Sequence, residues 1–265
     1  MRVHTLNDFV AIRAFLDRDR KWAAYALSDL DPGLRELCAW YAAEDEAGLR
    51  ALAMLYTGFD PPALFTMGTA LDVALMLGAA IRAPRVYLNV SDEHLPAIRA
   101  HYQVTSVEPM WRMTLDPADF RAVRGEAIHL TPQYTRELER LYAMGGGDAF
   151  TPSQVFSGSF FGMEQRGRLM AAAGTHVLSE AAGTAAVGNV FTHPDRRGQR
   201  CAQIVTSAVC ANLIRRGIRT IVLNVAQSNA PAIHVYEKLG FKRYLPFSEG
   251  LAQRKPAVHI LEEHK

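Results

Sequence analysis

The sequence predicts an α/β (α+β) protein of two related lobes, and three observations carry that expectation. LNVSDEHLPAI at residues 88–98 and LNVAQSNAPAI at 223–233 share Leu, Asn, Val, Pro, Ala and Ile in the same order and spacing, 135 positions apart in a chain of 265. Self-similarity at half the chain length is the mark of an internal duplication. Segments with apolar residues at helical spacing alternate with short strand-like runs in both halves. The length suits two domains of about 130 residues each, and 49% hydrophobic residues can fill a core in each.

The first half reads in order as follows. In LNDFVAIRAFLDRD, Phe9, Ile12, Phe15 and Leu16 recur at helical spacing, with Asn7 as the expected cap. Strand-like runs follow at 37–43, 52–57 and 63–67, then a helix over 70–81, a strand over 86–90, a helix from about 92 to 101 and an extended tail over 104–115. Pro117 and the charged stretch DFRAVRGE break this pattern. The boundary is therefore set between a first lobe, 1–122, and a second, 123–265.

The second half restarts the plan, and Ile128-His129 precedes its first helix as Val3-His4 precedes the earlier one. TPQYTRELERLYAMG is an amphipathic helix with Thr131 as cap, Pro132 in the first turn and Gly145 as stop. The glycines 145–147 read as helix terminator and loop; no GK[ST] follows, so a phosphate loop of that type is not expected. RLMAAAGTHVLSE and TAAVGNVFTH are two strands joined by a turn at Ala182-Gly183. A helix over 198–216, the strand TIVLNV, a helix over 230–239 and strands near 241–247 and 258–261 complete the lobe.

Composition narrows the function classes. A net charge of +2, with basic residues only in pairs such as Arg196-Arg197 and Arg215-Arg216, does not suggest nucleic acid as a partner. Cys38, Cys201 and Cys210 show no CxxC spacing, so neither a disulfide framework nor a metal site is expected, and a reducing cytoplasm fits best. MRVHTLNDFVAIRAF lacks a continuous apolar core, and ALDVALMLGAAI is short and carries Asp72, so neither secretion nor membrane insertion is expected.

The chemistry is concentrated in NVFTHPDRRGQRCAQIVTSAV, residues 189–209. A strand enters a Pro turn that passes through arginines and a glycine directly into a helix. Such a junction aims free backbone N–H groups and the positive end of the helix dipole at one spot, which suits phosphate.

NVFTHPDRRGQRCA resembles the acetyl-CoA-binding motif of the GNAT superfamily of N-acetyltransferases, a strand, a Pro, then Arg/Gln-x-x-Gly-x-Gly/Ala opening a long helix. NVAQSNAPAIHVYEKLGF resembles that family's next motif, and the two stand in the expected order across residues 126–265. The resemblance implies the acyl-CoA N-acyltransferase fold, a mixed, mostly antiparallel sheet flanked by helices, repeated in tandem. It implies that the backbone of Val190, Phe191 and Thr192, splayed at a bulge, pairs with the pantetheine arm of acetyl-CoA as an added strand would. Amides of Arg197, Gly198, Gln199, Arg200, Cys201 and Ala202 would hold the pyrophosphate, Asn229 the arm, and Tyr236 would donate a proton to the departing sulfur. The acceptor would be a primary amine on a small molecule or peptide, attacking the thioester directly with no metal; an oligomer is compatible.

Two departures mark the sequence. Arg200 stands where the motif has its internal glycine, where its side chain either clamps phosphate or crowds it. TAAVGNVFTH lacks the carboxylate that relatives often use as base; His176, Glu180 and His193 are the candidates, with a water relay as the default. The first lobe has no counterpart of PDRRGQRCA, reading TGFDPPALFTMGTALDVA instead, and Ser91-Asp92-Glu93 bring acid near the place of the arm. It is expected to be a degenerate lobe; Trp40, Tyr41 and Tyr56 serve its core or line an acceptor pocket. The alternative reading for the chain is a catalytically silent acyl-CoA-binding sensor or scaffold.

Overall fold

A computed structural model describes residues 1–146, 150–157 and 159–256. The first part of the chain forms β1 (Arg2–Thr5), α1 (Phe9–Leu16), α2 (Ala24–Ser28), β2 (Cys38–Asp45), β3 (Gly48–Tyr56), β4 (Ala63–Met67), α3 (Ala70–Ala79), β5 (Arg85–Ser91), α4 (Leu95–His101) and β6 (Tyr102–Leu115). It continues with β7 (Ile128–His129), α5 (Thr135–Tyr142), β8 (Phe161–Gln165), β9 (Arg168–Ser179), β10 (Thr184–Thr192), α6 (Cys201–Arg215), β11 (Thr220–Ala226), α7 (Ala230–Leu239) and β12 (Lys242–Arg254). The repeat is exact at one point: β5 and β11 are offset by the same 135 positions as the sequence phrase.

The chain folds into two compact units that do not follow the 1–122 and 123–265 division. Unit 1 comprises 1–15, 36–108 and 247–265; unit 2 comprises 16–35 and 109–246. Each half of the sequence thus contributes to both units. In unit 2, β11 takes Met110–Leu115 of β6 as its antiparallel neighbour; in unit 1, β5 takes Phe247–Gln253 of β12. A strand's partner is set by backbone hydrogen bonding and by which face is buried, neither of which is bound to nearness along the chain.

Unit 1 orders its strands β1-β2-β3-β4-β5-β12-β6, with only the first half of β6 included. Its core joins Leu64, Val73, Met76, Leu88 and Ile98 under α3 and α4. Trp40 is 3% exposed and Tyr41 packs against the unit 1 core, while Tyr56 meets Phe59 edge-on. Unit 2 orders its strands β6-β11-β10-β9-β8-β7. Val205, Val209 and Leu213 of α6 and Ile233 and Leu239 of α7 bury one face of that sheet, and Leu138 and Leu141 of α5 pack with Leu130 and Phe160 in a second cluster.

Residues 16–35 belong to unit 2 although they lie near the amino terminus. Ala24 packs on Ala186 and Val222, Ser28 Oγ lies 2.9 Å from Thr184 Oγ1, and Ser179 Oγ donates to Asp31 Oδ1 at 2.8 Å. The Arg112 guanidinium, 1% exposed, stacks on Trp22 at 5.2 Å and on Tyr25 at 4.8 Å. Such stacking offsets part of the cost of burying a guanidinium. Nothing in the local pattern of the first lobe announces this docking.

Several expected boundaries shift for local reasons. Asp8, not Asn7, caps α1, its Oδ1 accepting from Val10 and Ala11. Thr131 gives no side-chain cap; a 3-10 turn, Pro132–Tyr134, leads into α5 instead. Gly145, at φ 111°, ends that helix as expected, its N–H donating to Tyr142 O. The strand expected at 241–247 runs on to Arg254, while 258–261 lies outside the described residues, as does Gly147. No helix among the described residues is long and apolar enough to cross a membrane.

Candidate active site

The central feature of unit 2 is the place where β10 and β11 part. They pair in parallel from Thr184↔Thr220 to Val187↔Leu223. Beyond that, β11 continues to Ala226 along β6, and β10 continues to Thr192 along β9. The β11-facing edge of Gly188–Thr192 therefore has no ladder partner among the described residues. An open edge between diverging strands is a template for an extended ligand backbone.

Two irregularities cause the divergence. The β9 register jumps from Val177 to Thr175 opposite Ala186 and Val187, leaving His176 as the extra residue of a bulge. The next jump, between Gly188 and Phe191, leaves Asn189 and Val190 out of the β9 ladder, with Asn189 at φ 51°. Asparagine is among the few residues that accept that conformation at low cost. The bulge is pinned from below: Tyr142 Oη donates to Asn189 O at 2.7 Å, and Asn189 Nδ2 donates to Gln154 Oε1 at 2.9 Å.

From Thr192 the chain crosses eight residues, 193–200, before α6. His193 N donates to Met170 O, and its Nδ1 accepts from Asp195 N at 3.2 Å, fixing a 3-10 turn over Pro194–Arg196. Gly198 at φ 74° and Arg200 at φ 64° hold left-handed backbone, so the helix starts at Cys201 rather than at Gly198. Arg200 is the N-cap and offers no acceptor, which leaves the N–H groups of Cys201, Ala202 and Gln203 without carbonyl or side-chain partners among the described residues. They sit at the positive end of a helix of 15 residues.

The arginines around this loop keep their charge unneutralised. Arg196 bonds the Gln199 and Gln165 amides, Arg197 lies 6.0 Å over the Phe191 ring, and Arg200 Nε is 3.4 Å from Gln203 Oε1. None of the three pairs with a carboxylate among the described residues. Cys201 is buried, with its thiol 3.9 Å from Gln199 O, a packing position.

Asn229 caps α7, its Oδ1 accepting from Ala232 N at 3.2 Å, and no bond among the described residues engages its Nδ2. Tyr236 lies on the same helix, 8% exposed, edge-on to Phe241 at 5.9 Å. Burial, with Cys210 adding to it, pushes its hydroxyl pKa well above the ordinary 10, so the proton stays on at neutral pH.

Of the three base candidates, Glu180 is exposed and pairs with Arg216 at 2.9 Å, and His193 is spent on the turn. His176 alone reaches the bulge. Its ring lies against Gly188 so closely that a Cβ there would fall 2.3 Å from Nε2. Its Nδ1 is 3.1 Å from Tyr25 Oη, and burial holds its pKa down to about 4. Tyr25, Tyr142 and Gln154 carry no motif, and sequence reasoning missed them; the isolated glycine in a strand, Gly188, was the one signal of a close approach.

The Acetyltransferase (GNAT) family model matches residues 128–241. Those residues form a GNAT-family domain. Mycothiol acetyltransferase of Tsukamurella paurometabola is 33% identical over 109 residues, 40% of this chain and 37% of that protein. The Escherichia coli [ribosomal protein bS18]-alanine N-acetyltransferase is 32% identical over 96 residues, 34% of this chain and 63% of that protein. The chain thus spans less than two thirds of the length of either relative. Among solved structures, a GNAT acetyltransferase from Colwellia psychrerythraea superposes with TM-score 0.60 at 12% identity, over 96% of this chain and 100% of that one. A tandem GNAT protein of the clavulanic acid biosynthesis pathway superposes with TM-score 0.57 at 15% identity, over 97% and 99%. At such identities the likeness is one of fold, and it extends over both units.

The GNAT domain and unit 1 differ where β4 and β10 hand over to a helix. In unit 1, β4 pairs in parallel with β5 as β10 does with β11, but only Gly68 and Thr69 separate β4 from α3. Thr69 Oγ1 accepts from Asp72 N and donates to Asp72 Oδ2 at 2.8 Å, so the first turn of α3 is already capped and carries a carboxylate. Ser91 is buried and Asp92 accepts from Ser248 at 2.7 Å. That helix start would repel a phosphate.

Proposed function

We propose that the GNAT domain transfers an acetyl group from acetyl-CoA to a primary amine at the opening between β10 and β11, and that unit 1 holds no second donor site. The observation carrying this reading is the conjunction of a strand edge open from Gly188 to Thr192 with a 15-residue helix, uncapped by any side chain, at the far end of the loop that follows it. Acetyl-CoA fits that conjunction: nothing lies within 4 Å of the position a Cβ would take at Gly198, so a phosphate can approach the loop backbone. When bound, the donor supplies an activated thioester carbonyl.

This chain's residues would then act as follows. Backbone groups of Val190, Phe191 and Thr192 hold the pantetheine arm, and N–H groups of Arg197 to Ala202 hold the pyrophosphate, with Arg197 and Arg200 adding charge. Asn229 Nδ2 donates to the arm. Tyr236, protonated throughout the physiological range, donates to the leaving thiolate. An imidazole with a pKa of about 4 is too weak to retain a proton at pH 7, at a cost of about 4 kcal/mol by the worth of a pKa unit. His176 therefore orients the amine or its water as a neutral acceptor; the proton the amine loses passes to solvent, from which Tyr236 regains the one it gives to the thiolate.

The test is turnover of acetyl-CoA by the full chain with a panel of primary amines that includes small molecules and an alanine peptide, since the relatives are named for mycothiol and for an alanine of ribosomal protein bS18. Amine-dependent thiol release with about one acetyl-CoA bound per chain is expected. Binding without turnover for every amine would favour the sensor reading, and two acetyl-CoA per chain would refute the reading of unit 1.

A further inference from the structure

Unit 1 contains a pocket of about 430 Å³ at the carboxyl ends of α3 and α4, lined by Gly78, Arg82, Ala100, His101, Arg254 and Lys255. Its basic side chains are held by main-chain carbonyls. Arg82 donates from Nη1 to Gly78 O at 2.7 Å and from Nη2 to Ala79 O at 2.9 Å. Arg254 donates from Nη1 to Ile81 O and to Tyr102 Oη, and from Nη2 to Leu77 O at 3.1 Å. Lys255 Nζ donates to Arg99 O at 2.7 Å, and Lys255 N donates to His101 O.

These bonds leave donors over. A guanidinium carries five N–H groups and an ammonium three. Two are spent at Arg82, three at Arg254 and one at Lys255. The imidazole of His101 lies beside them, 3.2 Å from where a Cβ on Gly78 would sit. Burial lowers its pKa, Arg254, Arg82 and Lys255 lower it further, and a bond to the Ala74 backbone opposes them. The groups acting on the neighbouring Tyr102 are Arg254, Arg82 and Tyr41. No carboxylate is among either set. Three cations and an imidazole drawn into one pocket with no acid beside them among the described residues repel one another, and the helix-end carbonyls offset only part of that.

We propose that this pocket binds a small phosphate monoester, its phosphate held by Arg82, Arg254 and Lys255 and its organic part seated over Gly78 and Ala100. Three cationic side chains, Arg82 from the chain after α3 and Arg254 and Lys255 from the end of β12, match the three terminal oxygens of a phosphate better than the two of a carboxylate, and arginine forks favour that geometry. The volume exceeds the need of a bare ion and lies within the range of small-ligand sites. The proposal does not rest on the reading of unit 2.

The experiment follows the His101 ring by NMR in the full chain while glycerol 3-phosphate, inorganic sulfate or glycerol is added. Glycerol 3-phosphate in the millimolar range is expected to raise the His101 pKa, sulfate to do so more weakly, and glycerol to leave it unchanged. Because a bound anion favours the protonated ring, sulfate, whose own charge is fixed, should bind more tightly at pH 6 than at pH 8. The double variant Arg82→Gln, Lys255→Gln should bind at least about tenfold more weakly, on the scale of a charge-assisted bond. Ala100→Glu, a change at an exposed helix position, brings in a competing carboxylate and should abolish the response even if the double variant is poorly folded. A His101 signal unmoved by glycerol 3-phosphate, moved equally by glycerol, or moved equally in Ala100→Glu would overturn the proposal.

Discussion

Replacing Arg200 by glycine should move stability and donor affinity in opposite directions. Arg200 sits at φ 64° as the N-cap of α6, in backbone that costs an L-residue roughly 1–2 kcal/mol. Glycine adopts it freely but loses more freedom on folding, worth roughly 0.5–1 kcal/mol. The net gain is about 0.5–1 kcal/mol, or a rise in melting temperature of roughly 1–3 °C for a chain of this size. The guanidinium is exposed, so its contact with a phosphate is discounted for solvent to about 1 kcal/mol, roughly a fivefold loss of acetyl-CoA affinity. Differential scanning calorimetry reads the first effect and titration calorimetry the second. Unchanged or tighter binding would mean that Arg200 clamps nothing, and a lower melting temperature would refute the strain argument itself.

Tyr236→Phe keeps the edge-on contact with Phe241 and should leave stability and acetyl-CoA affinity nearly unchanged while turnover falls roughly 10²–10⁴-fold; wild-type turnover would reduce Tyr236 to a core residue. Gly188→Ala drives a methyl to within 2.3 Å of His176 Nε2, so it should cost about 1–3 kcal/mol in chemical denaturation and release His176 towards its ordinary pKa; a neutral change would mean that the imidazole does not rest there. His176 also predicts an acid limb. Above pH 6.5 the ring is neutral in both folded and unfolded chains, and between 6.5 and about 4 the unfolded chain takes up a proton that the fold refuses, so stability falls as pH falls across that window. His176→Gln should flatten the limb, and parallel losses in variant and wild type would exclude His176 as its source.

Agreement between sequence and structure is closest where the signal is local. The strand Ala63–Met67 and the helix Ala230–Leu239 fall on their expected residues. The helix is bounded by an Asn cap and by Gly240, which admits no side chain: its φ is left-handed at 103°, and a Cβ there would fall 2.2 Å from Asp119 O. The opening of α6 was expected at Gly198 because glycine and arginine read alike as loop or first turn, and only their dihedrals separate them. Cys201 and Arg200 belong to one motif in sequence but to core and surface in space.

The candidate donor loop is likewise one continuous stretch, 189–202, and so was legible as a phrase. The rest of the site is assembled from elsewhere: Tyr25 from residues 16–35, His176 from the bulge of β9, Tyr142 from the end of α5. No spacing rule links these positions, because each is brought in by sheet register or by packing rather than by chain connectivity.

By itself the sequence determined the duplication, the α/β alternation, the GNAT resemblance and both ends of α7, since repeats, caps and glycine dihedrals act within a few residues. Tertiary structure alone decided that β6 and β12 serve the units they do, that residues 16–35 cover β10, and that Thr69 and Asp72 close the start of α3 while α6 stays open. Those outcomes depend on which buried faces and strand edges meet, and that free energy belongs to pairs of segments rather than to either segment read alone.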